Sequence, residues 1–224
     1  MQKVITQKAF SSLKTLIILF SLGGVLLSLS TALYDGYSTP YKRLLYFTAQ
    51  SNIWLGVNTL CLLFFPHSKR LYRHKFLFTV SITITGLVYC FLLGPFSDNS
   101  FHPWSIPNLF THLFSPIFAV IDFFLDENIP TLYRKDILNA TLPPLFYFSI
   151  ASVLYFLNVD FGRGAPYPYF FMHYRSPARL LGFSREFPFF IGSIYWFALF
   201  TLLTLSIATL YAKLKNKRII AGMR

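Results

Sequence analysis

The stretch PNLFTHLFSPIFAVIDFFL, residues 107–125, decides how the rest of the chain is read. It is nineteen residues long with one acid and no Lys or Arg, close to the roughly 20 apolar residues a helix needs to cross about 30 Å of hydrocarbon. Within it, Asn108, His112, Ser115, Ala119 and Asp122 recur at spacings of four, three, four and three, which stacks them on one helical face. Polar side chains are expensive in hydrocarbon, so this face has to turn toward protein or water. The stretch reads as one helix of a membrane bundle with a polar interior side.

Five further segments share its length and apolar character, at about 13–33, 44–65, 76–94, 137–157 and 187–212. Together they predict an all-α fold: a polytopic membrane protein, a single six-transmembrane-helix bundle spanning residues 1–224. Composition agrees. The chain is 54% hydrophobic and only 12% charged, where soluble proteins carry about a quarter, and it holds 27 Phe, 14 Tyr and 3 Trp. These values exclude a soluble globule, a disordered chain, a disulfide-stapled secreted domain and a compact nucleic-acid binder, despite the net charge of +12.

The basic excess reads as topology. Counted by segment, fourteen Lys and Arg fall before the first span, in the second and fourth loops and after the last span, against six in the other loops. The positive-inside rule then puts both termini in the cytoplasm. Anionic lipid headgroups facing Lys213, Lys215, Lys217 and Arg218 are a sufficient partner for this charge, and nucleic acid is not expected. The first apolar stretch, preceded by Lys3, Lys8 and Lys14, is too long for a signal core of about 7 to 15 residues and is expected to be an uncleaved helix. Cys61 and Cys90 map near opposite membrane faces, so no disulfide is expected, and the sequon at Asn139 falls inside a span.

The second span has a polar side of its own, with Thr48, Ser51, Asn52, Asn58 and Thr59. Two polar faces most simply meet each other. At about 1.5 Å per residue, Thr48 and His112 both lie roughly 6 to 8 Å below their helix starts, and Asn58 and Asp122 match at about 21 to 23 Å. An outer Thr48 and His112 cluster and an inner Asn58 and Asp122 pair on one seam are therefore expected. Intramembrane Ser, Thr and Asn commonly serve only to hydrogen-bond helices together, for about 0.6 to 2 kcal/mol each. A histidine in hydrocarbon needs a partner and titrates near neutrality, which sets His112 apart.

The longest connection, Asn158 to Glu186, contains Tyr167-Pro168-Tyr169-Phe170-Phe171, too apolar for a free linker and too rich in proline for a span. It is expected to fold back over the outer cluster, with Phe96, Phe101 and Trp104 of the third loop as the opposite wall. No His or Cys has a partner at metal-ligand spacing, and no nucleophile elbow, phosphate loop or dinucleotide fingerprint is present. Neither a metal nor a cofactor is expected.

Three motifs in order carry a resemblance: Tyr46-Phe47-Thr48-Ala49-Gln50-Ser51-Asn52, then His112 with Ser115-Pro116 and Asp122, then Tyr167-Pro168-Tyr169-Phe170. From the second span to the last, the chain resembles bacterial six-span proteins related to the androgen-induced membrane proteins. Animal members of that family are threonine hydrolases of fatty acid esters of hydroxy fatty acids. The resemblance implies that Thr48 is the nucleophile, that His112 is the base, and that the location is the cytoplasmic membrane of a bacterium.

The chemistry is feasible independently, because a threonine hydroxyl becomes nucleophilic when a base within about 3 Å removes its proton. Asn108, one turn above His112, is a candidate to orient it, and Asn52 to donate to an oxyanion. Ser51, Tyr167 and Tyr169 complete the residues expected near the substrate. The expected function is a lipid ester hydrolase whose partners are membrane lipids and a lipid-like substrate. A proton-coupled transporter or carrier using the seam from Thr48 to Asp122 is the alternative, and a scaffold with purely structural polar faces is a third.

Overall fold

A computed structural model describes residues 12–95 and 104–222, with side chains to 220. Lys3, Lys8, Phe96, Phe101 and His102 lie outside these residues. The described residues form helices and turns, with a single isolated bridge between Phe183 and Ile191. The long helices are α1, Ser12–Thr31; α2, Phe47–Phe64; α3, Lys69–Leu93; α4, Ile106–Leu125; α5, Arg134–Phe156; and α6, Ser193–Gly222. Five of them, all but α2, are long and apolar enough to cross a membrane. The fold is that of a multi-pass integral membrane protein. In α2, which is 18 residues long, Gln50, Ser51, Asn52 and Asn58 lower the apolar content.

Several boundaries differ from the sequence expectation, each for a local reason. α3 starts at Lys69, seven residues early, because Ser68 caps it by accepting the Leu71 N–H. α6 starts at Ser193, not at 187. Phe187 to Ile191 are apolar, but Gly192 instead gives its N–H to Gly182 across the preceding loop (2.9 Å), and the helix begins only after that contact. α5 is interrupted at Ala140 and Thr141, and resumes at Leu142 with Pro143 and Pro144 in its first turn, where their missing N–H groups cost nothing.

The center of the bundle is α3, which packs on α2 and α4 most extensively and also on α5 and α6. Phe76 and Val80 of α3 meet Leu62, Phe123 and Ala208 in one buried cluster. A second cluster, Tyr147, Ala151, Phe161, Phe171, Met172 and Phe200, folds the long connection onto α5 and α6, as its apolar residues require. Leu26, Phe64, Phe91, Phe146, Val153 and Leu202 face outward, the exposed apolar coat that hydrocarbon rather than water would cover.

Glycines permit close approach between helices. A Cβ at Gly56 of α2 would lie 2.5 Å from Leu22 of α1, and one at Gly86 of α3 would lie 3.0 Å from Pro116 and 3.1 Å from the His112 carbonyl of α4. Pro116 has no N–H for that carbonyl, and its ring opposes an ordinary α-turn there. The turn just before it, Phe110–Phe114, is π-helical, as are Leu19–Gly23 in α1 and Tyr89–Leu93 at the end of α3. Such turns redirect side chains and cluster at functional sites.

Candidate active site

Two of these irregular elements meet a helix start. Thr48 is the second residue of α2, following extended Tyr46, and His112 lies within the π-helical turn of α4. Thr48 Oγ1 and His112 Nε2 are 3.1 Å apart. The other ring nitrogen, Nδ1, lies 3.2 Å from the Asn108 carbonyl and 3.0 Å from Thr111 Oγ1, whose own proton goes to the Pro107 carbonyl (2.8 Å). A carbonyl can only accept, so Nδ1 carries a proton, and in the neutral ring Nε2 presents its lone pair. Thr48 therefore donates to His112, the geometry a nucleophile and its base require. The Tyr89 ring stacks on the imidazole, with centroids 3.8 Å apart, and fixes its plane.

Behind this pair, the Thr48 carbonyl is held from two sides. Asn52 Nδ2 donates to it at 2.8 Å and to the Thr111 carbonyl at 3.1 Å, so one buried amide ties α2 to α4 beside the Thr48 and His112 pair. Both protons of that amide are used, leaving none for an oxyanion. Ser51 Oγ donates to the same Thr48 carbonyl at 3.2 Å and lies 2.8 Å from Thr85 Oγ1 of α3. Ser51 and Asn52 hold the Thr48 backbone in place and line neither of the cavities that Thr48 borders.

A cavity of about 350 Å³ opens beside Thr48 and His112. Asn108, Thr111 and Tyr89 line its floor, and Pro168, Tyr169 and Phe170 of the long connection form one wall. Arg43, paired with Asp35 and lying 4.3 Å from the center of the Tyr37 ring, borders it together with Arg163. Tyr169 faces Thr48. Burial pushes its hydroxyl up to about 12, against the opposing pull of the Thr48 hydroxyl and the Thr48 and Phe47 amides, so it stays a proton donor at neutral pH. Tyr167 is elsewhere, stacked on His173 at 4.4 Å, and Trp104 is 70% exposed and outside the cavity wall. A second, smaller cavity of about 40 Å³ also has Thr48 in its wall.

The inner polar residues form a different arrangement from the expected pair. Asp122 and Asn58 share no hydrogen bond among the described residues; the Asn58 Nδ2 has no partner there. Asp122 instead pairs with Lys14 of α1 (3.1 Å) and Lys75 of α3 (2.5 Å), and both lysines also reach Asp126, at 2.9 and 2.7 Å. Lys215 of α6 closes the end of α4 by donating to the Phe124 and Asp126 carbonyls. Burial acts to raise the Asp126 pKa, but Lys75 and Lys14 outweigh it and hold the carboxyl below the usual range.

Thus the structure brings Thr48, His112, Asn108 and Tyr169 to one cavity, sets Ser51 and Asn52 behind them, and leaves Tyr167, Asn58 and Asp122 apart. Sequence reading missed Tyr89, Thr111 and Arg43, and it treated Lys14 and Lys75 as flanking charges. Thr111 was signalled by adjacency to His112; nothing in the sequence singled out Tyr89. Among the described residues no three His, Cys, Asp or Glu side chains converge on a point that could hold a metal ion. No protein-family model, curated protein or solved structure matches the chain.

Proposed function

We propose that the chain is an integral-membrane ester hydrolase in which Thr48 attacks a lipid-like ester and His112 acts first as base and then as acid. The observation that carries this reading is the 3.1 Å contact between the Thr48 hydroxyl and His112 Nε2, beside a cavity of about 350 Å³. Thr48 Oγ1 bonds to the carbonyl carbon as its proton passes to Nε2, and Nε2 returns that proton to the departing alcohol. Water then attacks the acyl-threonine with the same base, and Thr48 recovers its proton. Tyr169, a protonated hydroxyl facing Thr48, is the candidate donor to the oxyanion. The resemblance described above points to lipid esters as the substrate class.

The proposal includes six crossings, α2 among them, with both termini on the cytoplasmic side of a bacterial inner membrane. The uneven distribution of Lys and Arg supports that orientation. A proton-relay transporter along the same seam would need Asp122 as a relay group, and two lysines already engage both of its carboxylate oxygens. The hydrolase reading is therefore preferred.

The test is lipid ester hydrolysis by purified protein in nanodiscs. Thr48→Ala and His112→Ala are expected to lose about 100-fold or more of the rate while eluting as the wild type does. Wild-type rates in either variant contradict the proposal.

A further inference from the structure

An ester has two arms, and the reacting threonine stands between two cavities of unequal size. Thr48, Tyr169 and Leu93 line both. His112 lines only the larger. We propose that the smaller cavity, a cleft among α3, α5 and α6, is the acyl-chain site of this hydrolase and admits only short acyl groups, while the larger cavity takes the alcohol arm. This inference rests on the hydrolase reading.

The assignment of arms follows from where the proton must go. When the tetrahedral intermediate collapses, the bond from carbonyl carbon to alcohol oxygen breaks, and that oxygen takes the proton held on His112 Nε2. The leaving alcohol must therefore lie on the His112 side, in the cavity of about 350 Å³. The acyl carbon, bonded to Thr48 Oγ1, directs its chain to the opposite side, where the cleft begins. Water enters afterwards from the side the alcohol has vacated, gives its proton to Nε2, and releases the acid as Thr48 regains a proton.

The walls of the cleft fit an alkyl group. Val88, Phe148 and Phe200 supply apolar surface. Thr85 and Thr204 line it too, but Thr204 donates to the Phe200 carbonyl (2.6 Å), and Thr85 Oγ1 is engaged by Ser51 Oγ (2.8 Å) and the Ser81 carbonyl (3.2 Å). Tyr147 also lines the cleft, its buried hydroxyl beside the Tyr169 side chain and the Phe47 backbone. Size sets the limit. One water-sized group needs about 10 to 15 Å³ on this scale, so a cleft of about 40 Å³ holds roughly three or four carbon atoms.

The experiment uses the full chain in nanodiscs and umbelliferyl esters that share one alcohol arm and carry acetyl, butanoyl, octanoyl or dodecanoyl chains. kcat/KM is expected to fall roughly tenfold or more between butanoyl and octanoyl. Phe200→Ala, which lengthens the cleft, should raise the octanoyl-to-acetyl ratio by about tenfold, and Val88→Phe, which fills it, should lower the butanoyl-to-acetyl ratio. A profile that is flat or rises with chain length, or ratios that neither variant moves, overturns the cleft assignment while leaving the hydrolase reading standing. Absence of turnover with every ester, in a sample that elutes as a folded protein, overturns both.

Discussion

The Lys75 ammonium lies 2.5 Å from the Asp122 carboxylate, and neither side chain is more than 3% exposed. This pair, with Lys14 and Asp126, ties α1, α3 and α4 together at one end of the bundle, while the contact of Thr48 with His112 joins α2 and α4 at the other. The two lysines balance the two aspartates. Removing one member leaves a buried charge without its counterpart, at a cost of about 3 to 5 kcal/mol. Lys75→Met is therefore expected to lower the thermal midpoint in detergent sharply, and Lys75→Met with Asp122→Leu to recover at least half of the loss. A double variant less stable than Lys75→Met alone would contradict this charge balance.

Asp126 makes the stability depend on pH. Its lysine partners hold its folded pKa below the unfolded value of about 3.9, so the unfolded chain takes up the proton first as pH falls. The stabilization is present above pH of about 4 and is lost as pH drops toward the folded value. Unfolding midpoints should hold level from pH of about 6 to 5 and decline from about 4 toward 2 in the wild type, with a smaller decline in Asp126→Asn.

How much of this was legible in the sequence differs between the two ends. Level depth along two helices predicted the meeting of Thr48 and His112, because both lie a similar distance from their helix starts and both faces are polar. The same arithmetic matched Asn58 with Asp122, but depth says nothing of azimuth, and Asp122 turns to α1 and α3 instead. Lys14 and Lys75 were counted as flanking charges, since their partners are distant in sequence and a charge count does not register pairing. Apolar Phe187 to Ile191 read as hydrocarbon-spanning, although Gly192 is engaged in a loop contact. Tyr89 could not be found from spacing, because the π-helical turns that bring it onto His112 break the period on which such reading relies.

Asn52 offers a test of positioning. Asn52→Leu removes hydrogen bonds to the Thr48 and Thr111 carbonyls, each worth about 1 kcal/mol. The variant is expected to unfold at a lower temperature and to lose kcat with little change in KM. A rise in KM alone would instead assign Asn52 to substrate binding.

Thr111 accepts from His112 Nδ1 together with the Asn108 carbonyl. Thr111→Val leaves the carbonyl to orient the ring, so the expected effect is the loss of one hydrogen bond, about 1 kcal/mol or roughly fivefold in kcat. Thr111→Ser should restore the rate. Loss of activity in both variants would show that the hydroxyl is not what orients the imidazole.

The most direct measurement is covalent labelling of the protein in nanodiscs with a lipophilic fluorophosphonate, followed by mass spectrometry of its peptides. The account predicts an adduct on Thr48 that is absent from Thr48→Ala and strongly reduced in His112→Ala. Ester hydrolysis with no adduct on Thr48, or undiminished labelling at another residue of Thr48→Ala, would contradict it.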